Sequence, residues 1–159
     1  MNNIAVKSDM QSADATSIVI DEVFPHGAEV LWKAITNGDL MGRWMMKPTG
    51  FEPVVGNRFT FQTTPAGAWD GFIRCEVLEV VPLERFAFAW RGGDESNVGY
   101  GSKLDTIVTF TLRRVQTGTR LRMEHSGFVL PKNDTAYTNM GKGWVKCVET
   151  LSTVAAEQD

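Results

Sequence analysis

Histidine and cysteine are scarce in this chain of 159 residues, which has two of each. A zinc site usually needs three or four converging ligands from His, Cys or carboxylate side chains. His26, His125, Cys75 and Cys147 are scattered along the sequence without such a spacing. We therefore expect no metal site and no other cofactor.

Long apolar runs and an excess of basic charge are also missing. No hydrophobic segment approaches the roughly 20 residues of a membrane span, and the N-terminal residues have no apolar core of a signal peptide. The formal net charge is -3, which argues against nucleic acid or a membrane surface as a partner. We predict a cytoplasmic protein whose residues 1–16 form a disordered tail. In that reducing compartment, Cys75 and Cys147 are predicted to be buried thiols rather than a disulfide.

The remaining sequence has the composition and pattern of one globular domain, which we place at residues 17–157. It is 43% hydrophobic and 22% charged, as is usual for soluble domains. A β-rich segment, Ser17–Phe24, precedes two short helical segments separated by the turn signal Asn37-Gly38. Alternating strands follow, and a long amphipathic helix is predicted from an N-cap at Asp134 to about Ala156. Strands segregated from helices in this way predict an α+β fold.

One predicted strand changes phase along its length. In "GFIRCEVLEVVP", Ile73, Cys75 and Val77 share one face, whereas Leu78 and Val80 share the other. An extra residue inserted into one strand of an antiparallel pair produces such a slip. The pattern therefore predicts a β-bulge.

Large side chains indicate how the sheet meets the last helix. The inward phase of the strands is mostly aromatic: Phe59, Phe61, Phe86, Phe88, Trp90 and Phe110. The facing stripe of the helix consists of Tyr137, Met140, Trp144, Val148 and Leu151. Gly141 and Gly143 lie near that stripe. They either permit close contact between helix and sheet or leave space unfilled, and the pattern alone does not distinguish a packed core from a pocket.

One polar side chain is predicted to face the interior. In "RLRMEHSGFVL", Leu121, Met123 and His125 share a phase, and the charged residues take the other. Because His125 is near the end of its strand, we expect it at the margin of any cavity. Three roles stay open: a structural histidine bonded to a backbone carbonyl or buried water, a neutral hydrogen-bonding group for a ligand, or an acid–base catalyst.

Several segments have an order and spacing that carry a family resemblance. They are "VLWKAIT" followed by "GRWM", "VVGNRFTF", "EVLEVVPLERFAFAW", "TIVTFTL", "GTRLRMEHSGF" and a "GW" in the last helix. Together they resemble the activator of heat-shock protein 90 ATPase homologue-like family, within the SRPBCC (START-like, Bet v 1-like) superfamily, over nearly everything from Ser17 onward.

The resemblance implies a helix-grip fold. In that fold a curved antiparallel sheet wraps around a long C-terminal helix, with two short helices after the first strand and a cavity between sheet and helix. Two segments depart from the family pattern: "WMMKP" at residues 44–48, where members often have Trp-Trp-Gly-Pro, and the glycine-rich loop Gly92–Ser102. Both are expected to border the mouth of the cavity.

The resemblance also implies a function for the cavity. Our leading hypothesis is binding of a hydrophobic or aromatic small molecule rather than catalysis. The alternatives are a polyketide cyclase or aromatase-like enzyme that uses the same cavity, and an interaction protein like the chaperone ATPase activators. A homodimer is left open. The predicted ligand-binding residues are Trp44, Phe59, Phe61, Phe86, Phe88, Trp90, Phe110, Met123, His125, Met140, Gly141 and Trp144.

Overall fold

A computed structural model describes residues 15–158, which form a six-stranded sheet and three helices. The elements are β1 (Ala15–Phe24), α1 (Ala28–Thr36), α2 (Gly38–Trp44), β2 (Arg58–Gln62), β3 (Phe72–Val81), β4 (Arg85–Gly92), β5 (Leu104–Val115), β6 (Gly118–Val129) and α3 (Asp134–Glu157). Of the predicted disordered tail, residues 1–14 lie outside the described part of the chain. β1 begins at Ala15, slightly before the predicted start at Ser17.

The sheet is a single antiparallel layer with the order β1-β6-β5-β4-β3-β2. Each strand from β2 to β6 pairs with its neighbour in sequence, and β1 closes against β6. The long helix α3 packs on the concave face, and the two short helices follow β1 as predicted. This arrangement confirms the α+β class and the helix-grip fold.

The phase slip in β3 is a β-bulge, as predicted. The pairing of β3 with β4 shifts between Val77 and Glu79, so Leu78 has no partner in the ladder. Leu78 is partly exposed, whereas Val77 before it is fully buried. The bulge shifts the phase so that Val80 packs against the core opposite Phe86, while Leu78 itself faces outward.

The start of α3 differs from the prediction by one residue. Asn133, rather than Asp134, is the N-cap, and its side chain makes no capping bond. Instead, the buried Asn133 amide donates to Ser102 Oγ and to the carbonyl of Lys103, both at 3.0 Å. Its Oδ1 accepts the Val129 N–H at 2.9 Å. Asn133 therefore ties the start of α3 to the β4–β5 loop, a contact between distant segments that local capping rules do not reveal.

Two findings bear on the expectations about membrane spans and cysteines. Within residues 15–158, no helix has the length and apolar character needed to cross a bilayer. Cys75 and Cys147 are free thiols, the first buried and the second half-buried. Burial raises the pKa of both thiols. The expectation of unpaired thiols is confirmed, although Cys147 is less enclosed than predicted.

Candidate ligand-binding pocket

A pocket of about 300 Å³ lies at the end of the sheet where β3 and β5 begin and β4 ends. Its wall combines these strand ends with the loops around them and with the N-terminal half of α3. The wall residues are Met45, Met46, Thr63, Trp69, Ile73, Trp90, Gly92, Gly93, Tyr100, Gly101, Ser102, Leu104, Ala136, Asn139, Met140, Gly143, Trp144 and Cys147. The pocket thus lies between the sheet and α3, where the helix-grip fold predicts a cavity.

The pocket has a buried floor and an exposed rim. Ile73, Trp90, Leu104 and Trp144 are almost inaccessible to solvent and form the floor. Tyr100 is 45% exposed on the rim. A small molecule can therefore enter from the surface and lose most of its hydration inside.

The wall is apolar and uncharged. Three tryptophans, three methionines and aliphatic groups dominate it, and its polar side chains are Thr63, Tyr100, Ser102, Asn139 and the thiol of Cys147. None of the wall residues within 15–158 is Asp, Glu, Lys, Arg or His. Few polar groups in a mainly apolar concavity are typical of sites for hydrophobic ligands.

The geometry of α3 explains why one of its two glycines reaches the pocket. Ala136, Met140, Gly143, Trp144 and Cys147 recur at intervals of three and four and share one helical face. A Cβ added at Gly143 would meet no atom within 4 Å. The missing side chain therefore leaves room, and the alternative of close helix–sheet contact is wrong at this position.

Gly141, which was predicted to contact the ligand, does not line the pocket. It is about 100° further around the helix than Met140, away from the pocket face. A Cβ at Gly141 would also meet no atom within 4 Å, so close contact with the sheet does not explain this glycine either.

Three of the twelve predicted residues, Trp90, Met140 and Trp144, lie in the wall. The other eight besides Gly141 do not line it: Trp44, Phe59, Phe61, Phe86, Phe88, Phe110, Met123 and His125. All eight are buried in the core. Sequence phase places the seven strand residues among them correctly on the inner face, whereas Trp44 belongs to α2. Phase does not show which part of the inner face is filled by neighbouring side chains.

The predicted phenylalanines lie outside the wall because their rings fill the space around them. Phe59 packs edge-on against Phe61 and Phe88, with ring centroids 5.6 and 5.5 Å apart. Phe86 lies 5.7 Å from Phe88. Ring contacts this close leave no gap for a ligand. Met123 on β6 pairs with Phe110 on β5 and is equally enclosed.

Trp44 and Phe110 are excluded from the wall by contacts with the helices. The indole N–H of Trp44 donates to the carbonyl of Ala34 at 2.8 Å, which fixes the ring beneath α1. Its ring then packs edge-on against Phe110, at 5.9 Å between centroids. Phe110 contacts Trp144 in the same way at 6.1 Å. Phe110 therefore supports a wall residue from behind.

His125 lies beneath the floor of the pocket rather than at its margin, and it is fully buried. Trp144 Nε1 is 3.0 Å from His125 Nδ1. Since an indole nitrogen can only donate, Nδ1 accepts and the ring proton resides on Nε2. Nε2 is 2.7 Å from Thr106 Oγ1, and Thr106 Oγ1 donates to the Trp90 carbonyl at 2.9 Å. Every donor in this series of three hydrogen bonds has an acceptor.

This hydrogen-bonded chain holds two wall residues in place. It fixes the ring of Trp144 and the backbone of Trp90, whose ring packs 5.1 Å from the imidazole. Burial lowers the pKa of His125 to about 3, so the ring is neutral at physiological pH. Protonation would also put an N–H at Nδ1 against the N–H of Trp144. Of the three roles left open, the geometry favours the structural one, with side chains rather than a carbonyl or water as partners.

The sequence did not single out Trp69 as a site residue. Trp69 follows β2 in a loop, where no periodicity marks a side chain as inward. Its N–H donates to the Phe72 carbonyl at 2.9 Å, and its ring lies 5.9 Å from that of Tyr100. The Tyr100 hydroxyl donates to the Thr64 carbonyl at 2.7 Å, which fastens the glycine-rich loop to the segment after β2.

Both segments that depart from the family pattern do reach the pocket. Met45 and Met46 come from the first, and Gly92, Gly93 and Tyr100 come from the second. Their predicted position at the cavity mouth is confirmed. Both departing segments therefore contribute side chains or backbone to the pocket wall.

Within residues 15–158, no three His, Cys, Asp or Glu side chains lie together so that they could hold an ion.

Comparison with known proteins places this architecture in a family. The model of the activator of Hsp90 ATPase homolog 1-like protein family matches residues 25–156. A search of curated proteins found no match.

Several solved structures are similar. Protein MLL2253 from Mesorhizobium loti is 35% identical, with a TM-score of 0.76 over 91% of this chain and 99% of that one. CalU16 from Micromonospora echinospora is 22% identical, with a TM-score of 0.68 over 91% and 78% of the two chains. Protein BH1534 from Bacillus halodurans is 21% identical, with a TM-score of 0.68 over 88% and 96%. The last two similarities concern the fold alone.

Proposed function

This chain belongs to the activator of Hsp90 ATPase homolog 1-like family, and we propose that it binds a hydrophobic or aromatic small molecule in the pocket between its sheet and α3. The observation that carries the proposal is the uncharged wall around about 300 Å³ of space. That volume is at the lower end of the range for small-molecule sites.

The proposed contacts are aromatic and thioether side chains. Trp90 and Trp144 supply rigid ring surfaces in the floor, and Met45, Met46 and Met140 supply flexible ones. Rigid rings favour planar ligands, whereas methionine adapts to irregular shapes. The hydrogen bond from Trp144 to His125 keeps one of these rings in a defined orientation before a ligand arrives.

Binding is better supported than catalysis. Acid–base chemistry needs a titratable group within hydrogen-bond reach of the substrate, and the described wall residues include no carboxylate, amine or imidazole. His125 lies close by, but both ring nitrogens bond to Trp144 and Thr106. Cys147 does line the pocket, although burial raises its pKa and disfavours the reactive thiolate.

A fluorescence titration with the neutral dye N-phenyl-1-naphthylamine tests this proposal. We expect saturable binding to the folded protein with one site per chain. Gly143→Leu should weaken that binding about tenfold, because the leucine side chain would take up space that the dye needs. Overpacking of this kind costs roughly 1–3 kcal/mol.

Gly141→Leu provides the matched control. It makes the same change on the same helix, gains the same helix propensity, and points away from the pocket face. Binding should stay within about twofold of wild type. Absence of dye binding by the folded wild-type protein, or equal weakening by both substitutions, would contradict the proposal.

A further inference from the structure

The three indole N–H groups in the pocket wall differ in one respect. Trp69 donates to the Phe72 carbonyl, and Trp144 donates to His125. The Nε1 of Trp90 is buried and has no hydrogen-bond partner among residues 15–158. Buried indole donors are normally paired. Trp90 is therefore the one wall tryptophan of the described chain whose donor has no acceptor within the protein.

The position of Trp90 determines where such a molecule would be recognised. Trp90 is 4% exposed and forms part of the floor. The centroid of its ring lies 5.7 Å from that of Phe61 and 5.1 Å from that of His125. These neighbours hold the indole in place but do not accept its proton. Because Trp90 also lines the pocket, the pocket is the route by which an acceptor from outside the protein can approach the indole.

The other polar side chains of the described wall carry no charge that could pair with a charged ligand. Ser102 Oγ accepts from Asn133 Nδ2 at 3.0 Å and keeps its own proton to donate. The Tyr100 hydroxyl donates to the Thr64 carbonyl. An ion transferred from water into such a wall loses hydration without gaining a partner of opposite charge. A neutral molecule with an oxygen or nitrogen acceptor does not carry this penalty.

We infer that the pocket selects an uncharged aromatic molecule of roughly two or three rings that carries a hydrogen-bond acceptor such as a carbonyl oxygen, bound by the N–H of Trp90; this rests on the binding function proposed above. The aromatic part lies against the tryptophan and methionine surfaces. The acceptor of the bound molecule lies toward the floor and provides the hydrogen-bond partner that the N–H of Trp90 lacks.

Three probes of one skeleton test the inference: 2-acetylnaphthalene, 2-ethylnaphthalene and 2-naphthoate, each measured by dye displacement at pH 7.5. The acetyl compound has an acceptor, the ethyl compound has none, and naphthoate is charged. We expect the acetyl compound to bind about fivefold to tenfold more tightly than the ethyl compound, the usual scale for one hydrogen bond. Naphthoate should bind at least about tenfold more weakly than the acetyl compound.

Trp90→Phe and Trp44→Phe assign the effect to a residue. Trp90→Phe keeps an aromatic ring but removes the donor, so the preference for acetyl over ethyl should disappear. Trp44→Phe removes an indole donor that lies outside the wall and already has a protein acceptor, the carbonyl of Ala34, so the preference should remain. Because each ratio is taken within one variant, a general change in pocket shape or stability cancels.

The outcomes separate this inference from the function on which it rests. If none of the three probes binds, the proposed function is contradicted. If all three bind equally well to the wild-type protein, a hydrophobic pocket is supported but the inference is overturned. A preference for acetyl over ethyl that persists in Trp90→Phe would also overturn it.

Discussion

The two halves of α3 face the same sheet, yet one is packed against it and the other borders a pocket. In the C-terminal half, Val148, Leu151, Val154 and Ala155 are buried. In the N-terminal half, Met140 is only partly buried and Gly143 is exposed. The packed half belongs to the hydrophobic core that α3 shares with α1, α2 and the sheet, whereas the open half borders strand ends and glycine-containing loops.

The boundary between the two regions is the hydrogen-bonded layer around His125. Imidazole, indole and hydroxyl groups satisfy one another there, so the layer closes the core without extending into the pocket. A polar layer of this kind is directional, and it can hold Trp144 in one orientation beside an empty space. An apolar side chain packed from one side only would lack that constraint.

The largest expected effect compares equivalent positions in the two halves. Leu151 and Met140 lie on the same face of α3, eleven residues apart. Leu151→Ala should lower the free energy of unfolding by about 2–5 kcal/mol, because it leaves a cavity in a closed core. Met140→Ala should cost less than about 1 kcal/mol, since its site already adjoins open space. Urea denaturation measures both, and similar losses would show that the two halves are equally packed.

A second prediction concerns the boundary layer. His125→Phe keeps an aromatic ring but leaves the buried N–H of Trp144 without its acceptor. We expect a loss of about 1–3 kcal/mol in the free energy of unfolding. In a Trp144→Phe background there is no indole donor to leave unpaired, so the same substitution should cost less.

The comparison of these two backgrounds forms a double-mutant cycle that isolates the coupling between His125 and Trp144. Ligand affinity should change mainly through the orientation of Trp144. A variant that keeps full stability but loses binding of a ligand with an acceptor would identify His125 as a ligand contact and contradict the structural role.

The third prediction follows from the lowered pKa of His125. In the folded state the pKa is about 3, whereas an unfolded histidine titrates near 6.5. Between these values the unfolded state binds more protons, so stability falls as pH decreases. The slope should approach about 1.4 kcal/mol per pH unit below pH 6.

Unfolding free energies measured from pH 6.5 to 4.5 test this effect. The range stops above about 3.9, the unfolded-state pKa of an aspartate, so carboxylates whose pKa is lowered in the folded protein, such as Asp21 and Asp94, contribute little to the slope. His125→Phe retains His26 and should show a much flatter profile. An equally steep profile in that variant would assign the pH dependence to other groups.

The sequence predicted the strands and the packed core better than it predicted the pocket wall. Regular alternation predicted the antiparallel strands and the inward position of His125, because strand phase depends on local periodicity. The slip at Val77 and Leu78 predicted the bulge. Thr106 shares its phase with Val108 and Phe110, so a polar partner on the neighbouring strand was detectable in principle.

The pocket wall was less predictable because much of it comes from segments without periodicity. Trp69 lies in a loop, and Tyr100 reaches the rim through a bond to the Thr64 carbonyl, 36 residues away in sequence. The predicted aromatic residues faced the interior as expected. Whether each one fills space or borders it depends on the shape of its neighbours, which pattern alone does not contain.

The central claim, that a ligand occupies the space beside the N-terminal half of α3, is tested most directly by labelling Cys147. Cys147 lines the pocket, whereas Cys75 is buried in the core with a strongly raised pKa. Alkylation by iodoacetamide at alkaline pH, followed by peptide mass spectrometry, gives the rate at each thiol. Saturation with N-phenyl-1-naphthylamine should slow the labelling of Cys147 at least about fivefold, since the bound dye covers its sulfur. An unchanged rate at Cys147 while the dye is demonstrably bound would place the binding site elsewhere and contradict the account.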